Sequence, residues 1–409
     1  MPVDWDTLEA ELTTALVDQV REMIADFPGL EFHAAALGQL YYETDGVITL
    51  PGLAFNTDGV LSELPGDWEF EAIDWPPDGR GREIERMLQD EACRSTVQHW
   101  HETFERFLAM LIRACGNARE QLDGFLVFIY DDDDPNYEFL LRSCLTESEL
   151  AQHFPEIGQA EAERERVAAL PPHEQVSFYV SVLDDFEHPL GSEEAQKALR
   201  DLGSAAIPAL IPLITRKDDG FRAAKLLADI GIADDAAIDA LSAALTKTRG
   251  PDQNWVAAAL SRLGRLDLVL ARVGDVPPEV VVAAVKAPYT AFRDHAVSPR
   301  PLDYEPLESF LSGYPEMALL LEKELAPGSS YCEITKPEVD EAIRGLSSPH
   351  ALVRQHAVCV LGARRLGDAV GAHVIPRLAR LESADPDPDV RRLAELSLSD
   401  WKITVTGSR

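Results

Sequence analysis

Four consecutive carboxylates, Asp131, Asp132, Asp133 and Asp134, are the densest group of chemistry-bearing side chains in the sequence. They follow Phe125–Tyr130, an apolar run that reads as a buried strand, and strand ends are common positions for catalytic or Mg²⁺-binding carboxylates. Four adjacent negative charges also repel one another, which raises some of their pKa values unless a cation is near. Pro135 and Asn136 follow, and these residue types favour turns, so a solvated hairpin loop is the competing reading. A contact point for a basic partner fits the segment better than catalysis.

The other constellations carry less. His99 and His101 flank Trp100 in an expected helix, and residues two apart project to different faces, so they do not easily share one ion. His350 and His356 stand six apart, with His373 in the next helix and no H-E-x-x-H or cysteine support. All three read as surface or helix-end histidines. A Cys332–His295 nucleophile pair would need hydrogen-bond reach, and Cys332 reads instead as a buried structural thiol. No G-x-x-x-x-G-K-[ST] is present, and no G-x-G-x-x-G lies between a strand and a helix, so neither nucleotide nor metal cofactor is expected.

These residues sit on two modules with different surfaces. From Met1 to Glu165 there are 36 acids, ten arginines and no lysine, a net of −26, whereas the whole 409-residue chain carries −34. So strong a negative field repels nucleic acid and anionic lipid and favours basic partners. Hydrophobic residues at 46% and charged residues at 26% exclude a disordered chain, a fibre and a small disulfide scaffold. The five cysteines are widely spaced without a C-x-x-C pair, which suits reduced thiols. With no secretory n-region or h-region behind Met1 and no long apolar stretch, a cytoplasmic protein without a membrane span is expected.

In the first module, Leu8, Leu12, Leu16, Val20 and Ile24 recur at helical spacing until Phe27-Pro28-Gly29. Phe32–Tyr42 and Val47–Leu50 flank Asp45-Gly46, a hairpin signal. Trp68–Ile73 alternates like an edge strand, and Glu83–Gln121 reads as helix with a break near Asp90–Ser95. Phe125–Tyr130 is a strand with Tyr137–Cys144 as its expected hairpin partner, and Thr146 opens a last helix. The result is an α+β domain over 1–158 with a mostly antiparallel sheet and helices, joined by a helical linker over 159–190.

The second module, 191–401, repeats a unit. Ala198-Leu-Arg-Asp-Leu-Gly203, Leu226-Leu-Ala-Asp-Ile-Gly231 and Ala259-Leu-Ser-Arg-Leu-Gly264 recur at about 30 residues. Val353-Arg354 with Ala357–Gly362 matches Val390-Arg391 with Ala394–Leu398. Arg222, Arg354 and Arg391 share one position, where each either pairs with an acid such as Asp385, Asp387 or Asp389 or forms a phosphate-binding ridge. Pairing is preferred, because ten bases and eight acids from Glu341 onward leave that stretch near neutral. An irregular, proline-rich insertion at 288–337 interrupts the array and either folds onto a binding face or fills the hollow side as a degenerate repeat.

These repeats resemble HEAT repeats of the short, PBS-lyase-like type, which implies an all-α solenoid of stacked helix pairs. The first module resembles an uncharacterised bacterial α+β domain family, through Tyr41–Gly46, Ala54–Thr57, Trp68 with Trp75, and the Phe125–Tyr130 strand. Small domains of that kind occur in immunity proteins of toxin systems. The combined expectation is a non-catalytic protein-binding scaffold, of an immunity or antitoxin-like type, that captures a basic protein partner and not nucleic acid or membrane. Its expected contacts are Asp131, Asp132, Asp133 and Asp134, with Arg293, Asp294, His295, Arg300 and Tyr304 of the insertion. The alternatives are a HEAT-like enzyme of lyase or DNA-glycosylase type, with its site near the acidic loop or the insertion, and a structural adaptor.

Overall fold

The computed structural model describes residues 3–40, 42–43, 47–61, 65–73, 75, 79–92, 97–131, 136–185, 188–216, 220–291, 300–326, 331–363 and 366–402. The chain forms two compact units, residues 1–161 with the terminal 402–409, and residues 162–401. Of the described residues 69% are helical, and the N-terminal unit has a small mixed sheet. Among the described residues no helix is long and apolar enough to cross a membrane.

The first unit opens with α1 (Trp5–Asp26). Asp4 caps it by accepting the Thr7 N–H, and Leu8, Leu12, Leu16 and Val20 are buried along one face. There follow β1 (Ala34–Gly38), β2 (Tyr42–Glu43), β3 (Val47–Ile48), β4 (Gly52–Asn56), β5 (Phe70–Ile73), α2 (Arg80–Ala92), α3 (Val97–Gln121), β6 (Leu126–Ile129), α4 (Tyr137–Cys144) and α5 (Glu147–His153). Tyr42 stands opposite Ile48 in the short antiparallel β2–β3 ladder, while Asp45 and Gly46, expected to form the turn, lie outside the described residues. Thr146 caps α5 with a reciprocal Thr146–Glu149 box.

The sheet is mostly antiparallel, as expected, with one parallel pairing, and the hairpin expected after Phe125–Tyr130 does not form. The four-stranded sheet runs β5-β4-β1-β6 and is mixed, because β6 lies parallel to β1 with Ala35 beside Val127. The α2–α3 excursion between β5 and β6 returns the chain to start β6 in the direction of β1, which a tight hairpin cannot do. The expected partner strand, Tyr137–Cys144, is instead helix α4. Its buried residues are Leu140, Leu141 and Cys144, at helical spacing, while Phe139 is left exposed. In β1, Ala34, Ala35, Ala36 and Leu37 are all buried, so both faces of the sheet are covered.

Helix α6 (Pro155–Ala168) contains the division between the units. Every longer element of the second unit is helical: α7 (Pro172–Val182), α8 (Gly191–Leu202), α9 (Ile207–Leu210), α10 (Gly220–Ile230), α11 (Asp235–Ala244), α12 (Pro251–Arg262), α13 (Leu266–Leu270), α14 (Pro278–Lys286), α15 (Glu305–Gly313), α16 (Ala318–Glu324), α17 (Val339–Gly345), α18 (Ala351–Leu361), α19 (Asp368–Ala384) and α20 (Pro388–Lys402). Helix α12 packs on both α10 and α14.

The recurring glycines serve two purposes. Gly203, Gly231 and Gly264 follow helices with φ of +57°, +69° and +80°, the left-handed turn that ends a helix. Gly362 has no such φ; a Cβ there would come 2.6 Å from Ser397 Oγ, so close approach of α20 demands the glycine. The insertion is no surface ornament. Tyr289, Tyr304, Leu307, Phe310, Leu321, Leu325 and Ile334 are buried in the same core as the flanking helices.

Candidate functional site

Asp131, the first residue of the acidic run, does not supply the expected surface. Asp131 is 8% exposed, and its Oδ2 accepts the Leu40 N–H at 2.6 Å. The β1–β6 ladder continues through Tyr130 N–H to Leu37 O, so the next side chain reaches past the end of β1 and ties down the backbone leaving it. Asp131 is thus a structural acceptor, not a solvated contact. Asp132, Asp133 and Asp134 lie outside the described residues.

An apolar surface rimmed by acids is formed elsewhere in the first unit, at the end of the sheet where β1 begins and β4 ends. The exit from α1 places Phe27 over Phe70 of β5, with ring centroids 4.9 Å apart. Phe70 meets Phe32 at 5.6 Å, and Phe32 meets Phe55 of β4 at 6.0 Å. Phe27 and Leu30 are each 40% exposed, and Val60, in the turn after β4, is 45% exposed. The turn that presents Val60 is rigid: Asp58 accepts Asn56 Nδ2 and the Val60 N–H, both at 2.8 Å. The Val60 N–H and the Asn56 amide hold the Asp58 carboxyl below its ordinary pKa. Glu22, Asp26, Glu31, Asp58, Asp67, Glu69 and Glu71 are all exposed here. No lysine or arginine occurs over 22–33 or 56–71. Sequence reading found the charge but not this place, because the three exposed apolar residues come from segments 30 positions apart.

In the insertion, Arg293, Asp294 and His295 lie outside the described residues, while Arg300 is exposed beside the end of α12. Tyr304 is not a surface contact. It is fully buried, with its ring stacked on Tyr289 at 5.9 Å and 6°. Its hydroxyl pairs with His356 Nδ1 at 2.7 Å, and His356 Nε2 faces Tyr289 O at 3.0 Å. His356 is therefore neither a surface nor a helix-end histidine. It is fully buried, and burial pushes its pKa down to about 4. Tyr331 covers it with ring centroids 4.5 Å apart.

Arg262 holds this cluster to α12. It is 2% exposed, its Nε donates to Ala287 O at 3.0 Å, and its Nη2 donates to Thr290 O. Its Nη1 lies 3.7 Å from Asp229 Oδ1, also buried. Arg262 and Asp229 occupy the same place in their repeats, two residues before Gly264 and Gly231. The sequence did carry that signal: an arginine replaces the acid in the third unit and meets the acid of the second.

Two of the three aligned arginines pair with acids as expected: Arg354 forks onto buried Asp385, and Arg222 Nη1 donates to Asp184 at 2.6 Å. Arg391 Nη1 donates instead to the backbone carbonyl of Asp385 at 2.6 Å. The thiols give no activated nucleophile in the insertion. Cys332 is buried, and burial raises its thiol to about 11. Cys115 and Cys144 touch, and the S–H that Cys115 donates lowers the Cys144 thiol and raises its own. Among the described residues no group of three or more His, Cys, Asp or Glu side chains could hold a metal ion.

Comparison with known protein families finds no family model that matches the chain, and comparison with curated proteins finds no match.

Proposed function

We propose that the chain is a non-catalytic protein-binding scaffold whose N-terminal unit captures a basic protein. The observation that carries this reading is the conjunction of exposed Phe27, Leu30 and Val60 with seven exposed carboxylates and no base over 22–33 and 56–71. Long-range attraction steers a cationic partner to this end of the sheet, and burial of the apolar anchors then slows its departure. A toxic nuclease is one such partner, because an acidic surface competes with nucleic acid for the same cations. In the second unit, the packing of α12 on α10 and α14 supports a HEAT-like array of stacked helices.

The test compares the chain with a Phe27→Ser, Leu30→Ser variant as bait in lysate of the source cells, at about 50 mM and about 300 mM salt. Both residues are half-exposed, so the variant is expected to melt within about 1 kcal/mol of the parent. The parent should retain a basic protein at low salt, lose most of it at high salt, and lose most of it on substitution. Equal capture by parent and variant, or capture indifferent to salt, would overturn the reading.

A further inference from the structure

The first unit holds two thiols in contact, and their surroundings differ from those of Cys332 and Cys359 in the second. Among the described strands β6 lies at an edge of the sheet, beyond β1. Successive N–H groups of a strand point to opposite edges, and the Tyr130 N–H points inward, to Leu37 O. The Ile129 N–H therefore points outward, off the open edge. Helix α4 packs on both β6 and α3, and its last residue, Cys144, accepts that N–H with its sulfur.

The Cys144 sulfur accepts a second hydrogen bond, from the S–H of Cys115 on α3. Arg119 stands one turn further along α3, where its Nη1 donates to Cys144 O at 2.5 Å and its Nη2 donates to Glu149. The Cys115 S–H, the Ile129 N–H and the Arg119 charge hold the Cys144 thiol below its ordinary range, against the opposing effect of burial. Donors and a cation around a sulfur favour its thiolate, the form that attacks peroxide. At Cys332 and Cys359 burial prevails instead and raises each thiol to about 11. Cys144 is the outer member of the pair, at 8% exposed, and Cys115 is sealed behind it.

We propose that Cys144 and Cys115 are a site of reversible oxidation, at which hydrogen peroxide converts Cys144 to a sulfenic acid and Cys115 resolves it to a disulfide. The Cys144 sulfur attacks one peroxide oxygen and the O–O bond breaks. The departing hydroxide takes the proton that Cys144 gives up and leaves as water. Cys115 then attacks the Cys144 sulfur, the S–O bond breaks, and the hydroxyl leaves with the Cys115 proton as a second water. Two thiols and one peroxide thus give one disulfide and two waters, with two electrons passing from sulfur to oxygen. The sulfurs already touch, so closing to the bond length of about 2.05 Å asks for little movement. Neither residue belongs to the surface that carries the binding reading, so the site stands without it.

Thiol mapping of the intact chain tests it. The protein, reduced and then freed of reductant, is exposed at about pH 7 to hydrogen peroxide at about 0.1–1 mM. It is then blocked with iodoacetamide in urea and digested without reduction. Cys115 and Cys144 should lose their free thiols together, at least about tenfold faster than Cys332 and Cys359. They should appear in one linked pair of peptides that dithiothreitol separates. In Cys115→Ser the new hydroxyl can still donate to Cys144, so the fold is kept. There dimedone should trap a sulfenic acid at Cys144, and no link to another cysteine should form. In Cys144→Ala, Cys115 should stay reduced. The map of the unaltered parent decides the matter even where a variant melts early. A parent in which the pair oxidises no faster than Cys332 and Cys359, or in which no Cys115–Cys144 link forms, would overturn the proposal. So would a Cys115 that still oxidises at the parent rate in Cys144→Ala.

Discussion

Replacing Asp385 with alanine is expected to destabilise the second unit by about 3–5 kcal/mol, the cost of stranding a buried charge. Arg354 is 8% exposed and Asp385 6%. Arg354 Nε donates to Oδ2 at 2.8 Å and Nη2 donates to Oδ1 at 2.9 Å, a two-pronged contact that only guanidinium geometry allows. The third nitrogen, Nη1, donates to Ser348 O at 2.9 Å. Asp385 Oδ1 also accepts the Asp387 N–H at 2.9 Å, which shapes the turn from α19 into α20. Two segments distant in sequence, 348–354 and 385–387, therefore meet on one ion pair. With the carboxylate gone, Arg354 keeps one carbonyl and has no route to water.

The pattern across variants separates charge from packing. Asp385→Asn retains an acceptor for one nitrogen and for the Asp387 N–H, so its loss should be smaller, about 2 kcal/mol. Arg354→Met with Asp385→Leu removes both charges and should recover most of the stability lost by Asp385→Ala, as apolar replacements of buried pairs commonly do. Urea denaturation followed by circular dichroism reads all three. A double variant as unstable as Asp385→Ala would show that the turn geometry, not the stranded charge, dominates. Burial alone would raise the Asp385 pKa, but the Arg354 bonds, the Asp387 N–H and the charges of Arg354 and Arg391 bring it below the ordinary value. Its contribution is therefore present above the unfolded carboxylate range near pH 4 and is lost only as pH falls below it.

What the sequence disclosed follows from range. Features set by neighbours along the chain were readable: the Leu8–Val20 stripe of α1, the Thr146 cap, and the glycines ending α8, α10 and α12. Repetition extended that reach, because the position shared by Arg222 and Arg354 predicted their pairing with acids without knowledge of any contact. Features set by tertiary pairing were not readable. The parallel placement of β6 depends on where α2 and α3 return the chain, and Tyr137–Cys144 has an apolar pattern compatible with either period until the sheet is laid down. Tyr304 and His356 looked like surface groups because polar tips suggest exposure; 52 positions apart, they satisfy each other inside the core. The exposure of Phe27, Leu30 and Val60 has the same origin: each is unremarkable in sequence, and it is tertiary packing, such as that of Phe27 on Phe70, that sets what stays uncovered.

His356 also makes the stability of the second unit depend on pH in a definite direction. Its Nε2 faces a carbonyl, which can only accept, so Nε2 carries the proton and Nδ1 accepts from the Tyr304 hydroxyl. A second proton would place a charge among Tyr289, Tyr304 and Tyr331 with no water to solvate it, and burial accordingly lowers the pKa from 6.5 to about 4. Because the folded value lies below the unfolded one, the contribution is fully present above about pH 6.5 and is lost as pH falls toward 4. From pH 7 to pH 5 this one residue is expected to cost about 2 kcal/mol, and by pH 4 about 3 kcal/mol. His356→Gln supplies the control. Its amide can donate to Tyr289 O and accept from Tyr304 without titrating, so it should be less stable than the parent at pH 7 by about 1–3 kcal/mol, through imperfect packing. That deficit should shrink by about 2 kcal/mol at pH 5, where the parent pays for protonation and the variant does not. Urea denaturation of both proteins at the two pH values measures it. A deficit that stays constant would show that the histidine keeps an ordinary pKa, and that the tyrosine cluster admits a charge.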